Sequence, residues 1–198
     1  GFSAPVRLDP TPSSEDLERL LAYDDDPFNR WQASQNLALR AIFGRLETGA
    51  LDARGLSEAL RLLLARAEDD PAFVAQALSL PSDIDLAREK GADVDPDVLF
   101  EARMALRAEL GRSLGAELGA IYARLSDAAP YSPDAASAGR RALRNVALDL
   151  LAGGDPEKGR ALAMAQFESA GNMTDKLAAL ATLALLGGHA REEAFSRF

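Results

Sequence analysis

The residues that could do chemistry in this sequence are few, and one of them stands alone. His189 is the only histidine among 198 residues, and there is no cysteine. A two-histidine zinc motif therefore cannot be built from this chain, and thiolate nucleophiles, disulfides and Cys-ligated metals are excluded. A Ser/His/Asp set would have to converge on His189, and no Gly-x-Ser-x-Gly nucleophile elbow is expected to serve it. His189 follows Gly187-Gly188 and reads as the start of a helix rather than a ligand. Asp93, Asp95 and Asp97 alternate like the opening of a calcium loop. The EF-hand pattern then requires Gly and Glu at offsets occupied here by Val98 and Met104, so that match fails.

Other polar groups have plain readings beside the functional ones. Asp24-Asp25-Asp26 and Glu68-Asp69-Asp70 fall at helix junctions and read as solvated faces rather than acid–base pairs. Arg140, Arg141 and Arg144 share one side of a helix. They read either as a face paired with nearby acids or as a contact for an anion or a peptide carboxylate. Gly111, Gly115 and Gly119 stand four apart within a helical pattern. Each glycine costs about 1 kcal/mol against alanine there, so the run implies a second helix crossing closely over that face. On this reading Gly115→Leu destabilises by overpacking. Read this way, the residues supply no catalytic, cofactor-binding or metal-binding set.

The elements that must position these groups are helices. Hydrophobic residues make up 47% and charged residues 27% of the chain, the balance of a folded soluble protein. A net charge of -9 argues against nucleic-acid binding, which needs a basic face. No apolar run approaches the roughly 18 residues that a membrane span needs. The absence of cysteine suits a cytoplasmic location.

Helix starts are marked by a capping side chain followed by proline: Asp26-Pro27, Asp70-Pro71, Asp95-Pro96, Ser132-Pro133 and Asp155-Pro156. The side chain accepts from the first free backbone N–H groups, and proline at the first helical position forfeits no bond. Ser14, ahead of Glu15 and Asp16, opens an earlier helix. The predicted helices are 14–24, 27–47, 55–68, 71–79, 82–90, 96–127, 133–152, 156–169, 173–186 and 189–198. Apolar stripes support them: Phe28, Trp31, Leu39, Ile42 and Leu46 in the second, and Leu106, Leu110, Leu114, Leu118, Ile121 and Leu125 in the sixth. In the run Gly171-Asn-Met-Thr-Asp175, Gly171 is expected to take a left-handed conformation. Asn172 and Asp175 then form a capping-box variant ahead of a stripe of Leu177, Leu180, Ala181 and Ala184.

Short connections make neighbouring helices antiparallel. The expected architecture is all-α: a superhelical array of antiparallel helix pairs, an ARM/HEAT-like α-solenoid, preceded by one short orphan β-strand. That strand is read from the alternation of Phe2, Ala4, Val6 and Leu8, and it finds no partner strand in the chain. The first residue is Gly, and the pattern Ala190, Ala194, Phe198 runs out without a stop signal. Both ends read as those of a piece of a longer protein, with 1–12 the tail of a preceding domain plus linker and 13–198 a partial helical domain.

Several stretches, taken in order, resemble the C-terminal part of bacterial aminopeptidase N, the alanyl aminopeptidases of the gluzincin class. They are Phe2–Leu8, NRWQASQNLA (29–38), LSLPSDIDLA (78–87), ELGAIYARL (117–125), GRRALRNVALDLLA (139–152) and AQFESAGNMTDKLAALATL (165–183). The resemblance implies a parent enzyme that removes N-terminal residues from peptides with zinc. It also implies that residues 1–12 end a β-sandwich domain, and that the helical part packs on the catalytic and β-sandwich domains and caps the active-site cavity. That family's His-Glu-x-x-His and Gly-x-Met-Glu-Asn motifs are absent here. Tyr23, Tyr122 and Tyr131 are present without the catalytic tyrosine's context. No catalytic residue is carried over, and this chain is expected to be inactive alone and to need no cofactor itself. Peptide substrates belong to the full-length enzyme, and apolar surface exposed in isolation could drive dimerisation. The alternative is an independent helical-repeat interaction module.

Overall fold

Serine and aspartate side chains open seven of the eleven described helices, and the fold is built from those starts. A computed structural model of the chain describes residues 12–91, 93, 95–126 and 131–198. Among them are eleven α-helices: α1 (Ser14–Tyr23), α2 (Pro27–Thr48), α3 (Arg54–Leu64), α4 (Pro71–Leu78), α5 (Asp83–Lys90), α6 (Pro96–Ser113), α7 (Gly115–Arg124), α8 (Ala135–Gly154), α9 (Pro156–Ser169), α10 (Met173–Leu186) and α11 (His189–Arg197). The expected strand at Phe2–Leu8 lies outside the described residues.

Asp26, Asp70, Asp95 and Asp155 each accept a hydrogen bond from a first-turn N–H ahead of a proline, as the sequence predicts. Two expected starts shift. Ser13, not Ser14, caps α1, in a reciprocal capping box with Asp16. Asp134, not Ser132, caps α8, accepting from the Ser137 N–H at 2.9 Å. Ser132 instead donates its hydroxyl to the Asp134 carboxylate, and Asp134, after Pro133, accepts from the first-turn N–H.

The predicted sixth helix, 96–127, is two helices broken at Leu114, whose backbone (φ -110°, ψ 11°) leaves the helical region. Its leucine stripe is nonetheless buried throughout, from Leu106 to Leu125. Arg61 of α3 holds the break. Its Nη2 donates to the Ser113 carbonyl at 2.7 Å and its Nε to Glu117 Oε1 at 2.8 Å. The carbonyl freed by the broken helix thereby gains a charged donor.

Helix α8 is the spine of the array, packing against α4, α6, α7, α9 and α10, while α1–α3 and α10–α11 extend the array from either side. Close approach to α6 is possible because of glycine. A Cβ on Gly111 would lie 2.0 Å from the Leu150 carbonyl oxygen and 2.5 Å from the Gly154 nitrogen. The expected glycine contact is therefore real, but it belongs to Gly111 alone. Gly115 and Gly119 have no neighbouring atom within 4 Å of the position a Cβ would take.

Two apolar stripes also differ from expectation. Helix α2 buries Ala33, Ser34, Leu37, Ala38, Ala41 and Ile42 and leaves Phe28 and Trp31 outside. Helix α10 buries Ala179, Leu180, Thr182 and Leu183, with Leu177 and Ala181 exposed. In α2 small residues let the neighbours approach closely on one face and the aromatics fall on the other, while α10 turns Ala179, Leu180 and Leu183 inward in place of Leu177 and Ala181. No helix among the described residues is long and apolar enough to cross a membrane.

Candidate functional site

The most organised polar constellation centres on Asp175, on the first turn of α10. Asp175 accepts at Oδ1 from Asn145 Nδ2 of α8 and at Oδ2 from Asn172 Nδ2, both at 2.9 Å. Its backbone N–H donates to Asn172 Oδ1 at 2.9 Å, so the predicted cap is present. The reciprocal bond differs from a capping box: it runs between the two side chains. Arg144 of α8 approaches Asp175 Oδ2 at 3.7 Å. Gln166 of α9, only 1% exposed, donates through Nε2 to Asn145 Oδ1 at 2.8 Å and to the Asp175 carbonyl at 3.0 Å. Gln166 Oε1 accepts from the Tyr122 hydroxyl of α7 at 3.1 Å. Four helices are thus joined through Asp175, Asn145 and Gln166.

Burial raises the Tyr122 hydroxyl above its ordinary pKa, and the Arg144 guanidinium, 5.2 Å from the ring centroid, partly offsets it. Arg144 Nε also donates to Ser126 Oγ at 3.1 Å. Each polar group in the set has a partner, so nothing is left to take a proton or attack a substrate. The arrangement locks helices together rather than catalysing a reaction. The sequence reading saw Asn172 and Asp175 as a helix corner and missed Asn145, Gln166 and Tyr122. The one signal in the sequence is a polar Gln166 and Asn145 on otherwise apolar helix faces.

Beside this network lies an open groove of about 670 Å³ between α4, α8 and α10. Its floor is small and apolar, with Ala72, Ala75, Ala138 and Ala142 among its walls, and Asn145 and Asp149 edge it. Asp149 is already engaged: Arg107 of α6, itself buried, places Nη2 at 2.8 Å and donates from Nε at 3.0 Å. The groove offers shape and apolar contact but no free acid or base.

The other residues of interest are dispersed. His189 is exposed at the start of α11. Asp95 caps α6, accepting from the Asp97 and Val98 N–H groups at 3.0 and 3.3 Å, which accounts for the alternating aspartates. Asp93 has φ 55°. Arg141 stacks on Tyr131 at 4.8 Å and donates to the Ser132 carbonyl. Arg140 has its own electrostatic or hydrogen-bonding partner. The arginine row is therefore committed within the chain at each position. Gly171 is not left-handed; α9 ends instead at Ala170 in an extended conformation.

One pattern needs correcting. The letters Gly111-Arg112-Ser113-Leu114-Gly115 do match Gly-x-Ser-x-Gly. They sit at the end of α6, not on a strand-to-helix elbow. Ser113 Oγ donates to the Glu109 carbonyl at 2.7 Å and lies 3.2 Å from Ser57 Oγ. A nucleophile elbow needs an exposed hydroxyl facing a histidine, and this hydroxyl serves the α3–α6 contact. Nor do the donors present fit zinc, with one histidine, no cysteine, and no group of three or more His, Cys, Asp or Glu in metal-binding proximity among the described residues.

An all-α stack of short helices around a spine, with an open groove and a closed polar network, defines an ARM-like helical-repeat domain. The chain belongs to the family described as "Domain of unknown function (DUF3458_C) ARM repeats", whose model matches residues 14–198. It is 38% identical over 201 residues to aminopeptidase N of Caulobacter vibrioides, covering 100% of this chain and 23% of that protein. It is 36% identical over 185 residues to aminopeptidase N of Escherichia coli, covering 90% of this chain and 21% of the relative. The matched part is the C-terminal region of these relatives. A crystal structure of Legionella pneumophila aminopeptidase A in complex with aspartic acid superposes with a TM-score of 0.84 at 25% identity, covering 100% of this chain and 24% of that one. The chain thus spans less than a quarter of the length of these relatives.

Proposed function

We propose that this chain is the non-catalytic helical domain of a zinc-dependent aminopeptidase that removes N-terminal residues from peptides in the cytoplasm. In this reading it packs on the catalytic part and caps the active-site cavity, limiting access to short peptides. The observation that carries it is the match of the whole chain to the C-terminal region of aminopeptidase N relatives more than four times its length. The donor chemistry agrees: a single histidine cannot supply a two-histidine zinc motif. The catalytic groups then lie elsewhere in the parent. What these residues contribute is a rigid wall, locked by the Asp175 network.

The test is direct. The purified chain is incubated with alanyl-p-nitroanilide while its metal content is measured. No nitroaniline release and no stoichiometric zinc are expected; zinc-dependent release by this chain alone would sink the proposal. In the full-length parent, capping predicts that short alanyl peptides are cleaved and an N-terminal alanine on a folded protein is spared. Equal rates on both would remove the capping role. A second reading, an independent interaction module, rests on the ARM-repeat architecture and the open groove. The coding sequence upstream of Gly1 decides between them, since a module requires no His-Glu-x-x-His there.

A further inference from the structure

We propose that the corner between α1 and α2 is a docking surface for a basic polypeptide segment, one that presents arginine or lysine side chains. The evidence begins with misplaced aromatics. Phe28 and Trp31 head the apolar stripe of α2 that reaches Ile42, yet they are 59% and 37% exposed while Ile42 is fully buried. Their rings touch, with centroids 5.9 Å apart and planes tilted by 42°. Tyr23, the last residue of α1, is also exposed. Single exposed apolar residues are ordinary, but paired aromatics presented at one helix corner mark an interaction site.

Charge selects the partner. Asp24, Asp25 and Asp26 lie in the chain between Tyr23 and Phe28. Asp26 is spent on the Phe28 N–H and Asp24 Oδ1 on the Asp26 N–H, at 2.9 and 2.7 Å. These bonds fix the turn and leave its negative charge in place. Arg30, four residues beyond Asp26, is turned away: it donates to the Leu21 carbonyl at 3.0 Å and covers the Phe73 ring at 4.8 Å. Exposed aromatic faces and uncompensated carboxylates favour the same ligand, a guanidinium or ammonium group, through cation–π and ionic attraction together. A second copy of this chain would bring the same negative corner and be repelled, as would a nucleic acid.

Trp31 is the only tryptophan, so its fluorescence reports on this surface alone. The 198-residue chain is titrated at low salt with a short peptide alternating arginine and glycine, and with the same peptide carrying glutamate for arginine. A saturable change in Trp31 emission is expected with the arginine peptide only, weakening as salt rises. Asp25 is exposed and takes part in no hydrogen bond or ion pair among the described residues. Asp25→Lys should therefore leave the melting temperature unchanged and weaken binding about fivefold or more, as reversal of an interface charge does. Phe28→Ala should weaken it as well. The proposal is overturned by an absent or non-saturable response, by equal response to the glutamate peptide, or by unchanged affinity in Asp25→Lys. A Trp31 shift that depends on the concentration of the chain alone would assign the surface to self-association and overturn it too.

Discussion

Gly111 of α6 and Gly154 at the end of α8 meet backbone to backbone. A Cβ on Gly154 would stand 2.3 Å from the Gly111 carbonyl carbon, and one on Gly111 would stand 2.9 Å from the Gly154 Cα. Contact of this kind leaves no side chain to yield when an atom is added. It sets how closely α8 lies on α6, and with it the position of the helices that pack on α8.

Gly111→Ala should therefore destabilise the chain by about 1–3 kcal/mol, the usual cost of forcing extra atoms into a packed contact. Gly115→Ala should be neutral or stabilising by roughly 0.5–1 kcal/mol, because that position is open and glycine is a poor helix former. Chemical denaturation of the two variants checks both. This replaces the expectation that Gly115 is the crowded position.

Asp175→Ala removes the acceptor for Asn145 and Asn172 and leaves Arg144, which is largely buried, without its carboxylate. Breaking a buried ion pair from one side costs about 3–5 kcal/mol. The denaturation midpoint should fall accordingly, with the Trp31 environment unchanged in the folded state. A loss below about 1 kcal/mol would show that the network is dispensable.

Arg61→Ala releases the break between α6 and α7. The pair with Glu117 is part exposed on both sides, so its ionic share is small and screened. The bond to the Ser113 carbonyl adds to it, and a loss of about 1–2 kcal/mol is expected in all. Glu117→Gln should cost less than Arg61→Ala, because it spares the carbonyl bond. Melting curves at low and high salt separate the two contributions.

Acid should destabilise the fold in a defined window. Asp16 and Asp85 are held below the usual carboxylate range mainly by the hydroxyls of Ser13 and Ser82, and Asp134 by Ser132 and the Ser137 N–H. Glu117 is lowered by its own backbone N–H and by Arg61. A carboxylate with a depressed folded pKa stabilises above its unfolded value, near 4, and that stabilisation is lost as pH falls through the folded value. The melting temperature should stay level from about pH 7 to 5 and drop below about pH 4. A level profile down to about pH 2.5 would contradict these assignments.

The helices were legible because capping is local. Asp26, Asp70, Asp95 and Asp155 each bond to an N–H two or three residues away, so sequence spacing suffices to find them. The same locality explains the small errors at Ser14 and Ser132, where a side chain one or two residues away caps the helix instead. The break at Leu114 was hidden because its leucine stripe continues unbroken across it, and the bonds that hold it come from Arg61 on a different helix.

The sequence by itself determined the all-α class and the positions of most helix starts. Tertiary structure alone decided which face of each helix is buried. Phe28 and Trp31 belong to α2's apolar stripe by period, but the smaller Ala33, Ala38 and Ala41 admit the neighbouring helices more closely, so the aromatics face outward. It alone decided that Gly111, not Gly115, meets α8. And it alone joined Asp175 to Asn145, Gln166 and Tyr122, because those bonds connect residues 9 to 44 positions apart or link through such residues. Periodicity reports which residues share a face; only packing reports what that face meets.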